Sequence, residues 1–209
     1  MATIAPNSFD RSKPFYPLVM TVLAQLLGFK ELAVRGIVGC RSIDEVMSQF
    51  GGPAVVSDQA LTSLRQSLEA VMSPLELRSE FSANHIRVDV SEMAREIALN
   101  GTYLAGSLLY ALGTVFVLAH EMSKDKPWHD QGPLWEFLRH CRHAAAHGGR
   151  FNLLNGEPRR LAKWGPFEIT RSLQGTPLFK RQDGSGMLSP GDPIRLLWDI
   201  EHAYPQMSV

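Results

Sequence analysis

Residues 103–119 are a run of 17 amino acids without a charge. Such a segment must be shielded from water, and that demand constrains the fold more than any other feature of the chain. Its length is at the lower limit for a bilayer span. However, it contains Gly106, Ser107, Gly113 and Thr114 and runs directly into His120-Glu121. The reading is therefore a helix buried in a bundle or at a dimer interface. Gly101, Gly106 and Gly113 lower helix propensity, and the reason to tolerate them is close approach of a second helix. A second uncharged stretch, residues 15–29, is interrupted by Pro17 and Gln25 and lacks a basic region followed by a small-residue cleavage site. It is not read as a signal peptide. The expectation is a soluble, cytoplasmic protein without a membrane partner. Cys40 and Cys141 follow no ligand spacing, which suits two free thiols in a reducing compartment.

The order of elements follows from punctuation. The first dozen residues are polar and proline-containing, and are expected to fray. A helix is expected over 17–33, broken by Gly36 and Gly39. Ser42 and Glu45 read as a capping box opening a short helix that stops at Gly51-Gly52-Pro53. Ser57 or Asp58 caps a helix carrying Leu61, Leu64, Leu68 and Val71 on one face, and Pro74 restarts it through Leu77. Ile86, Val88 and Val90 alternate with Arg87 and Asp89, as in a short strand or extended linker. Ser91-Glu92 caps a single long helix over 93–122. Pro133 opens a helix that Gly148-Gly149 ends. From Arg150 onward short apolar pieces alternate with proline and glycine, at 161–164, 167–170 and 178–180. They read as a β-meander, followed by a last helix over 193–203. The fold class is mainly α, a helical bundle over 1–149 with a C-terminal extension over 150–209, packed on the same domain.

The helix over 133–147 carries the chemistry. On a helical wheel Leu134, Phe137, Leu138, Cys141, Ala144 and Ala145 form a core stripe. Glu136, Arg139, His140, His143 and His147 fall on the other side, and Arg142 lies at the margin. A solvated face carries Lys and Glu more often than three histidines, which are mostly neutral at pH 7. Ala144, Ala145 and Ala146 are small and let backbone or substrate come close. His147 precedes the glycine stop, where the negative end of the helix dipole favours imidazolium. A histidine beside a fixed guanidinium suits phosphodiester cleavage: one group moves the proton and the other stabilises charge on the phosphorane. The alternative is an Arg and a His that merely cap and solvate the helix end.

The segment Arg142-His143-Ala144-Ala145-Ala146-His147 resembles the R-x4-6-H signature of the HEPN superfamily, in which a polar residue often follows the arginine, here His143. The match is close over this one helix and looser over residues 15–147. HEPN domains are helical bundles, and many are metal-independent endoribonucleases of toxin–antitoxin, CRISPR and phage-defence systems. The resemblance implies that Arg142 and His147 are catalytic, with His143 beside them. It also implies a homodimer whose two signatures form one composite site, and cleavage by the RNA's own 2′-OH. The HepT-like branch carries a tyrosine two positions after the histidine, where this chain has Gly149. AMPylation by an antitoxin is therefore not indicated, while an antitoxin or regulatory partner of another kind remains in view. The extension from 150 lies outside the minimal HEPN bundle.

The chain has 21 basic and 21 acidic residues, so any RNA affinity must be local. Residues 139–163 supply such a patch: Arg139, Arg142, Arg150, Arg159, Arg160 and Lys163 against Glu157. Arg139, His140, Arg150 and Asn152 are the candidate substrate-binding residues. Trp128, Trp135 and Trp164 flank the patch and read first as core. His140 and His147 are about 10 Å apart along the helix axis, too far to share one ion with His143; two of the three with Glu136 or another segment are the alternative, but neither a metal nor a cofactor is expected. No GK[ST] phosphate loop or Ser nucleophile elbow is present. The expected function is a metal-independent endoribonuclease acting on single-stranded RNA. The alternative is a non-catalytic HEPN-like module that binds RNA, nucleotide or protein.

Overall fold

The computed structural model describes residues 11–38, 59, 62, 63, 66, 74–78, 86–154, 156–181 and 183–207. The protein is mainly α-helical, with two small two-stranded sheets. It divides into two compact units, one of Met1–Leu26 with Gly106–Val209 and the other of Leu27–Ala105. The elements are α1 (Tyr16–Val38), β1 (Leu75–Leu77), β2 (Ile86–Val88), α2 (Val90–Leu99), α3 (Gly101–Ser123), α4 (Pro133–Ala146), β3 (Lys163–Trp164), β4 (Phe167–Glu168) and α5 (Asp192–Ala203), with a 3-10 turn at Arg171–Leu173.

In the Leu27–Ala105 unit, β1 and β2 pair antiparallel, with Leu75 opposite Val88 and Leu77 opposite Ile86. The extended reading of 86–88 holds, whereas the helical restart after Pro74 does not: Leu75–Leu77 is a strand. The expected capping box at 42–45 and its helix lie outside the described residues, as do Cys40, Leu61, Leu64, Leu68 and Val71. Positions 59, 62, 63 and 66 are helical. Asp89, not Ser91, caps α2, its side chain accepting from the Glu92 N–H at 2.9 Å. The long helix expected over 93–122 is two helices. Asn100 adopts an extended conformation (φ −120°, ψ 90°), and its side chain accepts from the Thr102 N–H at 3.1 Å. An asparagine that bonds the backbone ahead of it caps a new helix more readily than it continues an old one. Conversely, α1 passes through Gly36 and ends at Val38.

The larger unit holds the core. Phe15, Leu18, Val19 and Val22 from the α1 region, Leu112, Val115, Phe116 and Ala119 from α3, and Phe137, Leu138, Cys141 and Ala144 from α4 are buried together. Each set recurs at three- and four-residue intervals, the signature of one helical face. Burying each large side chain is worth about 1.5–3 kcal/mol. Gly113 explains one of the glycines in α3, because a Cβ there would meet the Ala145 Cβ of α4 at 3.4 Å. Gly106 has nothing within 4 Å of such a position, so close approach does not account for it. By length and composition, residues 105–123 of α3 are apolar enough to cross a membrane.

The segment after α4 belongs to the same core, through Phe151, Ala162, Ile169, Leu178 and Leu188, and α5 adds Leu196, Leu197 and Ile200. It is not the expected meander. β3 and β4 form one short hairpin, and the remaining pairing consists of isolated bridges, Arg150 with Pro177 and Phe179 with Leu188. Irregular backbone bonds tie the segment to itself, such as Phe151 N–H to Thr176 C=O at 3.0 Å and Leu178 N–H to Gly149 C=O at 2.8 Å. Gly186 (φ +104°) is required at its position: a Cβ would lie 2.2 Å from the Phe179 carbonyl oxygen. The last helix starts at Asp192, one residue earlier than expected.

Candidate functional site

The end of α4 organises the candidate site. Pro133 occupies the first turn, where a missing N–H costs nothing. The helix closes as a Schellman-type turn: Gly148 adopts φ +80°, and Gly149 N–H bonds to the Ala144 C=O at 2.8 Å. His147 leaves helical geometry (φ −120°, ψ 53°) and is exposed. One turn back, the His143 ring stacks on it, with centroids 5.9 Å apart and planes 22° from parallel. Both rings face a cleft of about 310 Å³ shared with Asn152, Leu154, Glu157 and Arg159. Burial, followed by the charges of Arg142 and Arg139, lowers the His143 pKa below its usual value. His143 is thus a neutral imidazole near pH 7, able to donate one proton and accept another.

Arg142 points elsewhere within this chain. Its Nη2 donates to Glu121 Oε1 on α3 at 3.1 Å, and it does not line the histidine cleft. Glu121 also accepts from Lys124 at 2.6 Å. Hydrogen bonding from Lys124, with a further contribution from Arg142, holds the Glu121 carboxyl below the usual carboxylate range despite some desolvation. His120, adjacent to this pair, is held low by burial and then by the Arg142 charge, with Glu121 opposing.

The other site residues expected from sequence separate into two groups. Asn152 lies in the cleft, where its Oδ1 accepts from Gln174 Nε2 at 3.2 Å. Arg150 turns away to the Gly175 carbonyl at 2.6 Å. His140, put on the polar side of the helical wheel, is enclosed with 1% of its surface exposed, and offers no surface to a ligand. Arg139 Nη2 donates to His140 Nε2 at 3.0 Å, a bond that requires a neutral imidazole carrying its proton on Nδ1. Burial, then the Arg139 charge, lowers its pKa accordingly. Glu136 is likewise buried, at 7% exposure. It is bound by Arg139 through Nε at 3.0 Å and Nη2 at 2.9 Å, while Arg139 Nη1 reaches Glu157 at 2.9 Å. Burial works against the Arg139 charge, but these carboxylates raise its pKa overall.

The cause of this departure from the wheel is the covering segment after α4, which carries Glu157 to Arg139 and packs β3 against the helix. The three tryptophans are core: Trp128 is 7% exposed, Trp135 fully buried and Trp164 8% exposed, with Trp164 Nε1 donating to Asp199 at 2.9 Å. The wheel missed Glu121, His120 and His129. Glu121 and Arg142 are 21 positions apart on different helices, so no local spacing links them. The three-residue interval between Glu136 and Arg139 was a readable signal for their pair.

Among the described residues, no three or more His, Cys, Asp or Glu side chains are grouped to hold a metal. Cys141 is a buried free thiol whose pKa burial pushes well above the usual value. No family model, curated protein or solved structure matches the chain.

Proposed function

We propose that the protein is a HEPN-like, metal-independent endoribonuclease that cleaves single-stranded RNA as a homodimer. The observation that carries the reading is the stacked His143–His147 pair facing a cleft that also contains Asn152 and Arg159. In the proposed reaction the 2′-oxygen attacks the adjacent phosphorus as its proton passes to a histidine. The P–O5′ bond breaks and the leaving oxygen takes up a proton, giving a cyclic phosphate and a 5′-hydroxyl. His147, exposed at the helix end, moves the proton, and His143 orients it. Arg142 stabilises charge on the phosphorane. Since Arg142 bonds Glu121 in its own chain, its phosphate partner comes from the second protomer's substrate or by exchange with Glu121. Both are exposed enough for such exchange, with side chains 28% and 37% accessible, because exposed ion pairs are weak.

The Arg142–Glu121 bond favours a second reading, a non-catalytic RNA- or nucleotide-binding module in which this arginine is structural. The test is cleavage of single-stranded RNA in the presence of a chelator. His147→Ala is expected to lose at least about 100-fold in rate, the usual contribution of a positioned acid–base group, while remaining folded and dimeric. Undiminished cleavage by that variant overturns the site. RNA binding by the wild type without cleavage selects the second reading.

A further inference from the structure

Glu157 and Arg159 form a ridge between two clefts. On one side are the histidines at the end of α4; on the other lies a cleft of about 410 Å³ that no part of the motif predicts. Four cations line the second cleft, Lys124, Arg139, Arg159 and Arg160, against two carboxylates, Glu136 and Glu157. The surplus is positive in a protein whose formal net charge is zero.

The cations do different work. Arg139 is committed to structure, holding Glu136 and Glu157 at once. Arg160 is only weakly ion-paired: its Nη1 is 3.5 Å from Glu136, its other acceptor is the neutral Gln131 side chain, and 57% of its side chain is exposed. Lys124 pairs with Glu121 outside the cleft and is 45% exposed. Such exposed pairs exchange at little cost, so Arg160 and Lys124 are the cations a ligand can recruit. Gln131 sits opposite Arg160 in the left-handed region, at φ 57°. A non-glycine residue stays there only where its surroundings hold it. The wall is stiffened by rings: His129 stacks on Trp135 at 4.5 Å and meets His120 edge-on at 6.4 Å. His120 Nδ1 and His129 Nε2 are buried ring nitrogens without a hydrogen bond. Burial lowers the pKa of both histidines, so each is a neutral imidazole with one donor near pH 7.

We infer that this second cleft is a phosphate subsite, which takes a backbone phosphate of the same single strand whose scissile phosphate lies at His143 and His147. Arg160 and Lys124 contact the phosphate, and Arg159 on the shared ridge lies between the two positions. The identity of the ligand as RNA rests on the ribonuclease reading; the anion subsite does not.

The two are separable by measuring binding without cleavage. A fluorescent 2′-O-methyl single strand of about ten nucleotides, a length within single-strand site sizes, is titrated against the wild type, Lys124→Gln, Arg160→Gln and the double variant over a range of salt. The double variant is expected to weaken binding about tenfold. Its dependence of log affinity on log salt is expected to fall by about 0.7, the share of the one single-strand phosphate that both cations neutralise. Inorganic phosphate is expected to compete in the wild type, far less tightly than the strand. Equal affinity and salt slope in the double variant overturn the inference. Strand binding no tighter than phosphate binding also overturns it, in favour of a free-phosphate site. Should Arg160→Gln unfold by circular dichroism, Lys124→Gln carries the test with an expected slope change of about half that amount and a matching loss of affinity; no change overturns the inference. Lys124- and Arg160-dependent binding by a wild type that cuts no RNA supports the subsite while sinking the ribonuclease. Cleavage by the wild type with unaltered binding in the double variant does the reverse.

Discussion

The two halves of the polar side of α4 differ in what covers them. Glu136, Arg139 and His140, in the first three turns, are enclosed by the segment carrying Glu157 and tied into one ion-paired network. His143 and His147, one and two turns further on, face an open cleft. The residue types are similar, yet one half is structural and the other is available to a ligand. A histidine's position on a helical wheel does not decide between these roles; the chain packed against it does.

The largest expected effect tests the enclosed half. Glu136→Ala leaves Arg139 with Glu157 as its only carboxylate partner beside His140, and should destabilise the fold by about 2 kcal/mol in urea unfolding. This is below the 3–5 kcal/mol of a fully buried pair because a quarter of the Arg139 side chain is accessible. A change below about 0.5 kcal/mol would mean that the network contributes nothing to the fold.

Acidification acts on both halves. His120, His129, His140 and His143 all have pKa values lowered by burial in the folded state. The unfolded chain therefore binds more protons than the folded one below their ordinary value of about 6.5. The stability they confer is complete above that pH and is lost as pH falls through the folded values. Tm should decline from about pH 6.5 downwards, and His140→Gln should flatten that decline. An unchanged slope in the variant would place the acid sensitivity elsewhere.

The open half depends on its helix stop. Gly148→Ala forces a Cβ into φ +80°, which should cost about 1 kcal/mol and weaken any activity that needs His147 at the helix end. A neutral result by chemical denaturation would show that the turn re-forms another way. The smallest expected effect is on the stability of His147→Ala. An exposed side chain outside a packed network should change it by less than about 0.5 kcal/mol, so its loss of cleavage would be chemical and not structural.

Local rules explain what was legible. Pro133 and Gly148-Gly149 bracket α4 because a proline's missing N–H is harmless in the first turn and a glycine tolerates the left-handed stop. The core stripe of α4 followed from the 3.6-residue period, and all of Phe137, Leu138, Cys141 and Ala144 are buried. In the region after Arg150, apolar pieces alternate with turns, a pattern that implies a meander. Alternation detects extended chain but not its partner: the neighbouring pieces at 163–164 and 167–168 do pair, whereas 150 pairs with 177 and 179 with 188. At the candidate site, the adjacency of His143 and His147 followed from their four-residue spacing. The capture of Arg142 by Glu121 did not.

The sequence by itself determined the bounds of α4 and, to within a residue, of α5, the apolar stripe of α4, and that a histidine pair stands at the end of α4. Those properties depend on residues within a few positions of one another, where backbone geometry sets the spacing. Only the tertiary structure decided which charges are consumed by the fold and which remain for a ligand. That choice depends on burial and on partners 18 to 24 positions away, as in Arg139 with Glu157, Arg142 with Glu121 and Arg160 with Glu136. A carboxylate within hydrogen-bond reach redirects a guanidinium whatever helical face it starts from.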